Sequence, residues 1–209
     1  MHNFNYFIWD FDGTLFNTLR HIASVITEIM KHNYNIDLNA KGVQEWVEKG
    51  LNTCFNKIVL DFDINLSEFQ DLFNKEYWVD IESHQPPFPR AEEILPYIQE
   101  NDGKNFLVTH RGIKSLSILL KYYGMEEYFE KLITRDDNFP NKPDPAAFLY
   151  LINEYNLPRE KIIAIGDREI DVQAARAINI KSCYFNPEGK THELADFNIT
   201  NLIELKKIL

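Results

Sequence analysis

Asp10 and Asp12 stand two residues apart in Asp10-Phe11-Asp12-Gly13-Thr14, directly after a short apolar run. In extended chain, residues i and i+2 point to the same side about 6.6 Å apart, so both carboxylates can converge on one site. Two close carboxylates repel, and one pKa rises unless something positive lies between them. Standing alone, Asp-x-Asp-Gly also reads as an ordinary turn; its company sharpens it. Gly166-Asp167 closes a later apolar run, and Asp171 follows one helical turn on, where i and i+4 share a face. Asp10, Asp12, Asp167 and Asp171 thus form an oxygen-rich acidic set with no His or Cys placed as a soft ligand, which favours a hard cation such as Mg²⁺. Thr109-His110-Arg111 closes another run and leads into a helix. Its hydroxyl and the N–H groups of that first turn could hold an anion, or Thr109 could simply cap the helix. In Asn141-Lys142-Pro143-Asp144-Pro145, Asp144 reads as an N-cap with Pro145 at the first helical position. Lys142 then becomes one of few cations near four carboxylates, completing an anion pocket with Thr109. No GxxxxGK[ST] loop occurs, so P-loop nucleotide chemistry is not supported.

These residues need strands that end together. Tyr6–Trp9 reads as a buried strand running into a tight loop, with similar runs at residues 105–108, 131–134, 161–165 and 181–185. Between them lie helical patterns: Leu116, Leu119, Leu120 and Tyr123 with Gly124 as a stop, then Ala174, Ala175 and Ile178. Alternating strands and helices predict an α/β fold built on a parallel sheet. Residues 16–85 differ, with helical spacing and no convincing strand: Ile22, Val25, Ile26, Ile29; Val43, Trp46, Val47; Leu66, Phe69, Leu72, Phe73. They read as a small all-helical insert, and Pro86-Pro87-Phe88-Pro89 marks the return to the main domain. The expected division is 1–15 with 86–209 as an α/β core, and 16–85 as a helical cap.

Composition narrows the function classes. The 209 residues carry a net charge of −10, which disfavours nucleic acid and anionic membrane surfaces as partners. A hydrophobic share of 44% supports a globular core. Cys54 and Cys183 are too far apart in sequence to suggest a disulfide framework or a metal pair, which fits a reducing cytoplasm. The opening MHNFNYFIWD shows no basic region followed by a leader-length apolar stretch, and the run at residues 146–152 is too short to span a bilayer. The expectation is a cytoplasmic protein with no membrane partner.

Four signatures in order, Asp10-Phe11-Asp12-Gly13-Thr14, Thr109, Lys142 and Gly166-Asp167-x-x-x-Asp171, resemble those of the haloacid dehalogenase superfamily across nearly the whole chain. The helical insert resembles the small cap of its phosphoglycolate phosphatase and β-phosphoglucomutase-like branch. The resemblance implies a Rossmann-like three-layer core and a Mg²⁺-dependent phosphatase acting on a small phosphorylated metabolite. By the same resemblance, Asp10 attacks phosphorus to form an aspartyl-phosphate, and Asp12 protonates the leaving oxygen and then activates water. Mg²⁺ is held by the carboxylates of Asp10 and Asp167 and the backbone carbonyl of Asp12, with Asp171 in support. Gly13, Thr109, His110 and Lys142 bind the phosphoryl group with Asp10, and Lys142 keeps Asp10 ionised.

Two positions depart from the family pattern. His110 stands where Asn is common, and either tunes pH dependence, touches substrate or is a solvated turn residue. Arg168 follows Asp167 and reads as a surface partner for Glu169 or Asp171. Substrate choice is expected in the cap and its hinge, at Phe16, Asn17, Lys49 and Asn52, the last two in a turn over residues 48–52. Related mutases carry a cap His twelve residues after the nucleophile. Here that position is Ile22 with His21 beside it, which favours hydrolysis over a phosphomutase. A receiver-like signalling domain phosphorylated on Asp is the alternative from another class, but its acidic pair and phosphorylated Asp lie on different strands, and it lacks a helical insert.

Overall fold

Runs such as Phe7-Ile8-Trp9 and Ile162-Ile163-Ala164-Ile165, apolar at every position, need cover on both faces, and a parallel sheet between helices provides it. The computed structural model describes residues 4–208; Met1–Asn3, part of the segment read above for a leader, and Leu209 lie outside the described residues. Contacts divide the chain into two units, Met1–Phe16 with Pro87–Leu209, and Asn17–Pro86.

In the first unit, β1 (Tyr6–Trp9), β2 (Lys104–Val108), β3 (Phe129–Ile133), β4 (Ile162–Gly166), β5 (Lys181–Phe185) and β6 (Phe197–Ile199) form a sheet ordered β3-β2-β1-β4-β5-β6. Every adjacent pair is parallel. This is the expected α/β, Rossmann-like architecture. Trp9 is level with Leu107 on one side and Ile165 on the other, so the chain leaves β1, β2 and β4 at nearly one height. Strand order reverses about β1, which makes its carboxyl end the switch point where open α/β sheets bind ligands.

Helices α8 (Ala146–Glu154) and α9 (Glu169–Ala177) bury Ala147, Phe148, Leu151, Ala174 and Ala175 against Ile8, Phe106, Val108 and Ala164. Helix α6 (Ala91–Glu100) packs on β2, burying Ile94, Leu95 and Ile98. Helix α7 (Ile113–Tyr122) buries Leu116, Leu119 and Leu120, and the chain turns away at Gly124, whose φ is +63°. Helix α8 begins one residue later than read, with Asp144 still accepting from the Ala146 N–H at 2.9 Å.

The bounds of β3 and β4 differ from those expected. The run read at 131–134 is a strand over Phe129–Ile133, because an edge strand keeps polar residues such as Glu130 and Lys131 and an apolar run marks it poorly. The run read at 161–165 is Ile162–Gly166. Strand β6, three residues at the other edge, was not read at all.

The second unit holds α1 (Leu19–Tyr34), α2 (Ala40–Glu48), α3 (Leu51–Phe62), α4 (Leu66–Tyr77) and α5 (Ile81–His84). Ile22, Val25, Ile26, Ile29, Val43, Val47, Phe69 and Phe73 line its core as the periodicity requires, with Phe55 edge-on to Phe69 and Phe73. The turn read over residues 48–52 is tighter than expected: only Lys49 and Gly50 separate α2 from α3, and Gly50 at φ +116° makes the bend. Among the described residues, no helix is long and apolar enough to cross a membrane.

One buried polar side chain ties strands together. The Trp9 indole donates to Asn105 Oδ1 at 2.9 Å, and Asn105 Nδ2 donates to the carbonyls of Leu95 (3.2 Å) and Tyr128 (3.3 Å). Asn105→Leu keeps much of the volume but strands one indole N–H and two carbonyls. Urea unfolding of this variant is expected to show a loss of about 3 kcal/mol with an unchanged m-value.

Candidate active site

Asp10 is the first residue past β1, and its N–H still donates to the Ile165 carbonyl at 2.9 Å, so the adjoining strand fixes its backbone. Its carboxylate is buried, at 1% exposure. Lys142 reaches it across the carboxyl end of the sheet: Nζ lies 2.8 Å from Asp10 Oδ1, 2.6 Å from Asp171 Oδ1, and donates to the Val108 carbonyl at 3.0 Å. Its hydrogen bonds go to Asp10 and to the Val108 carbonyl, and its approach to Asp171 is an ion pair. The Lys142–Pro143 peptide is cis.

Asp167 follows β4 and accepts from the Thr14 hydroxyl at 3.0 Å. Asp171, in the first turn of α9, takes the Arg168 N–H on Oδ2 at 3.2 Å. Two glycines make room. A Cβ on Gly13 would stand 2.3 Å from Asp167 Oδ2, at a φ of +84°, and one on Gly166 would stand 2.3 Å from Asp171 Cγ. Carboxylate oxygens of Asp10, Asp167 and Asp171 lie within 4.8 Å of one another, and Asp10 Oδ2 is buried without a hydrogen-bond partner. An orphaned oxygen beside two more carboxylates is a donor set that fits a hard divalent ion.

The charges bear this out. Burial drives the Asp10 carboxyl up, but Lys142 and then Arg168 overcome it and hold it below the usual range. Burial, reinforced by the charges of Asp10 and Asp171, pushes Asp167 well up. Asp171 is also raised by burial, against the pull of Lys142. Lys142 is raised because Asp10 and Asp171 outweigh its desolvation. Asp10 is therefore an ionised, buried carboxylate suited to nucleophilic attack, while the pair beside it needs further positive charge.

Several expected roles change. The Asp12 side chain is not in the carboxylate cluster: Arg111 Nε donates to its Oδ1 and Oδ2 at 3.0 and 3.2 Å, a two-pronged ion pair that holds it apart. The N–H of Gly13 donates to the Phe16 carbonyl at 2.9 Å, so the glycine makes space for Asp167 and does not offer its amide to a phosphate. Thr109 does not cap α7, which starts at Ile113; its Oγ1 accepts from the Arg111 N–H at 3.1 Å. The Ile113 N–H expected to meet an anion donates to Asp136 at 2.7 Å. Arg168 is no surface partner of Glu169. Its side chain is 23% exposed, and its guanidinium faces Asp10 Oδ2 at 3.6 Å. Phe16 is fully buried, stacked on Phe11 and edge-on to Tyr123, which removes it from any substrate surface. Asn17, half-buried, and Lys49 and Asn52, both exposed, belong to the helical unit.

Thr14 and Arg111 are the site residues that sequence reasoning missed. A hydroxyl next to the glycine and a cation next to a strand end carry no periodic signal. His110 accepts the Lys142 N–H on Nε2 at 2.9 Å, so that nitrogen carries no proton for a phosphate. Burial first, then the Lys142 charge, lowers its pKa from 6.5 to about 4.

The family model for haloacid dehalogenase-like hydrolases matches residues 7–185. A phosphoglycolate phosphatase from Nitrosococcus oceani is 26% identical over 214 residues, covering 96% of this chain and 94% of its own. The crystal structure of a predicted phosphoglycolate phosphatase from Haemophilus somnus superposes with a TM-score of 0.85 at 20% identity, over 98% of this chain and 97% of that one. The HAD-hydrolase YfnB from Bacillus subtilis, bound to magnesium, superposes with a TM-score of 0.77 at 18% identity, over 99% of each chain.

A histidine whose folded pKa lies below its unfolded value takes up its proton in the unfolded chain first. Stability is therefore intact above pH 6.5 and falls as pH drops from there toward about 4. After allowance for its partial exposure, His110 should account for about 2 kcal/mol of that loss. Urea midpoints against pH are expected to fall less steeply in His110→Gln than in the parent.

Proposed function

Because the chain belongs to the haloacid dehalogenase-like hydrolase family, we propose that it is a Mg²⁺-dependent phosphatase that hydrolyses a small phosphorylated metabolite through an aspartyl-phosphate on Asp10. The observation that carries this reading is the Asp10 carboxylate, buried yet held ionised by Lys142 at the switch point of the sheet. The name phosphoglycolate phosphatase on the Nitrosococcus oceani relative supports a small phosphate monoester as substrate. We place the protein in the cytoplasm, where its two buried thiols, that of Cys54 pushed up to about 12, stay unpaired.

An Asp10 oxygen attacks phosphorus in line with the departing ester oxygen, and the P–O bond to the alcohol breaks as the bond to Asp10 forms. Asp12, once released from the Arg111 fork and protonated from solvent, gives that proton to the departing alcohol oxygen. The same carboxylate then takes a proton from water, which attacks the aspartyl-phosphate and releases inorganic phosphate. Lys142 orients the nucleophile, and the Thr109 hydroxyl stands with it as a phosphoryl contact. The Asp10, Asp167 and Asp171 carboxylates and the Asp12 carbonyl would hold Mg²⁺, which supplies positive charge for the equatorial oxygens.

Asp10→Asn is expected to lower release of inorganic phosphate from any ester by about three orders of magnitude or more. Formation of an isomeric sugar phosphate by the parent, without phosphate release, would instead identify a mutase. Mg²⁺ at about a hundredfold its Kd is expected to stabilise the parent by about 2.7 kcal/mol, reversed by EDTA. A melting curve indifferent to both would remove the metal from this site.

A further inference from the structure

Three cations stand among the acidic residues, and two of them are committed. Lys142 directs its ammonium at Asp10, Asp171 and the Val108 carbonyl. Arg111 grips Asp12 with its fork. Arg168 differs. Its Nε is buried without a hydrogen-bond partner, and its ion pair to Asp10 Oδ2 is a long 3.6 Å. Asp10 Oδ2 is the nucleophile oxygen that Lys142 does not hold, and it too lacks a hydrogen-bond partner. A guanidinium with a donor left over at the edge of this cluster marks the place where an outside group with several acceptors would be held, while the left-over Asp10 oxygen, itself an acceptor, calls for a cation or an electrophile.

We propose that Arg168 is a phosphoryl-binding residue, its guanidinium fork donating to two oxygens of the phosphate that Asp10 attacks. The inference deepens the phosphatase reading and rests on it. Planar paired donors match phosphate oxygens, a geometry that an ammonium already ringed by protein oxygens cannot offer. The contact is to the group common to all substrates, so Arg168 confers affinity for phosphate itself and not for the remainder of the ester.

The test uses the full chain with Mg²⁺, Arg168→Gln and Arg168→Lys, with thermal melts to establish folding. By calorimetry, Arg168→Gln is expected to weaken binding of inorganic phosphate by about tenfold or more, with Arg168→Lys recovering only part. KM for p-nitrophenyl phosphate and for a carboxylate-bearing phosphate ester should rise by the same factor. Phosphate affinity within about twofold of the parent's in a folded variant overturns the assignment. So does a defect confined to the carboxylate-bearing ester, which would give Arg168 to the rest of the substrate. If the Gln variant melts early, the Lys variant carries the comparison. Should the parent bind phosphate through Arg168 yet turn over no ester, the phosphatase reading fails and attack by Asp10 with it, while Arg168 remains a phosphate contact. Should it turn over esters with an affinity indifferent to Arg168, the reverse holds.

Discussion

A buried ammonium holding two buried carboxylates apart is the constraint around which this site is built. Lys142 and the side chains of Asp10 and Asp171 are nearly inaccessible, and each alone would face the heavy desolvation that keeps unpaired charges out of protein interiors. Together they are mutually dependent. Taking away the lysine would leave two carboxylates facing each other at the end of β1 and β4. The chain meets this demand from four places: the end of β1, the Val108 carbonyl closing β2, the segment ahead of α8, and the first turn of α9. The level registers of Trp9 with Leu107 and Ile165 bring the strand ends to one height, without which the ammonium could not reach all three oxygens.

Compensation is incomplete at Asp167. Among the described residues, the Thr14 hydroxyl is the hydrogen-bond donor to Asp167, and the Asp167 carboxyl is driven up by burial and by its acidic neighbours. A site built for stability alone would have replaced it with an apolar side chain. Keeping it requires Gly13, and keeping Asp171 requires Gly166, because a Cβ on either glycine would stand 2.3 Å from the neighbouring carboxyl group. The glycines explain why the acidic residues can crowd, and the crowding explains why a divalent cation suits the cluster.

How much of this was legible depended on whether the signal was periodic, local or long-range. Continuous apolar runs exposed β1, β2, β4 and β5 because parallel strands buried on both faces leave no alternation to misread. The edge strands β3 and β6 were blurred or missed, since half of each meets solvent. Asp10, Lys142, Asp167 and Asp171 were legible as a set because each follows or precedes an element whose end could be placed. What could not be read was which cation takes which carboxylate. Arg111 lies 99 residues from Asp12 along the chain, and no spacing rule announces that its fork turns toward that carboxylate. Nor does sequence say that the Gly13 amide turns to Phe16, or that His110 spends a nitrogen on the Lys142 N–H.

The three cations divide the electrostatic work by their valence of donors. An ammonium distributes three bonds over a sphere, so Lys142 suits the corner where two carboxylates and a carbonyl meet. A guanidinium presents a flat fork, and Arg111 turns it to one carboxylate, that of Asp12, two residues past Asp10. Interchanging the two would fail on geometry before charge was considered. Arg168 differs from both: its ion pair to Asp10 is long, and its Nε is buried without a hydrogen-bond partner. Its position directly after Asp167 ties it to the loop that also carries a candidate metal ligand. Any shift of that loop would move the Asp167 carboxylate and the Arg168 guanidinium together, because one short stretch of backbone carries both.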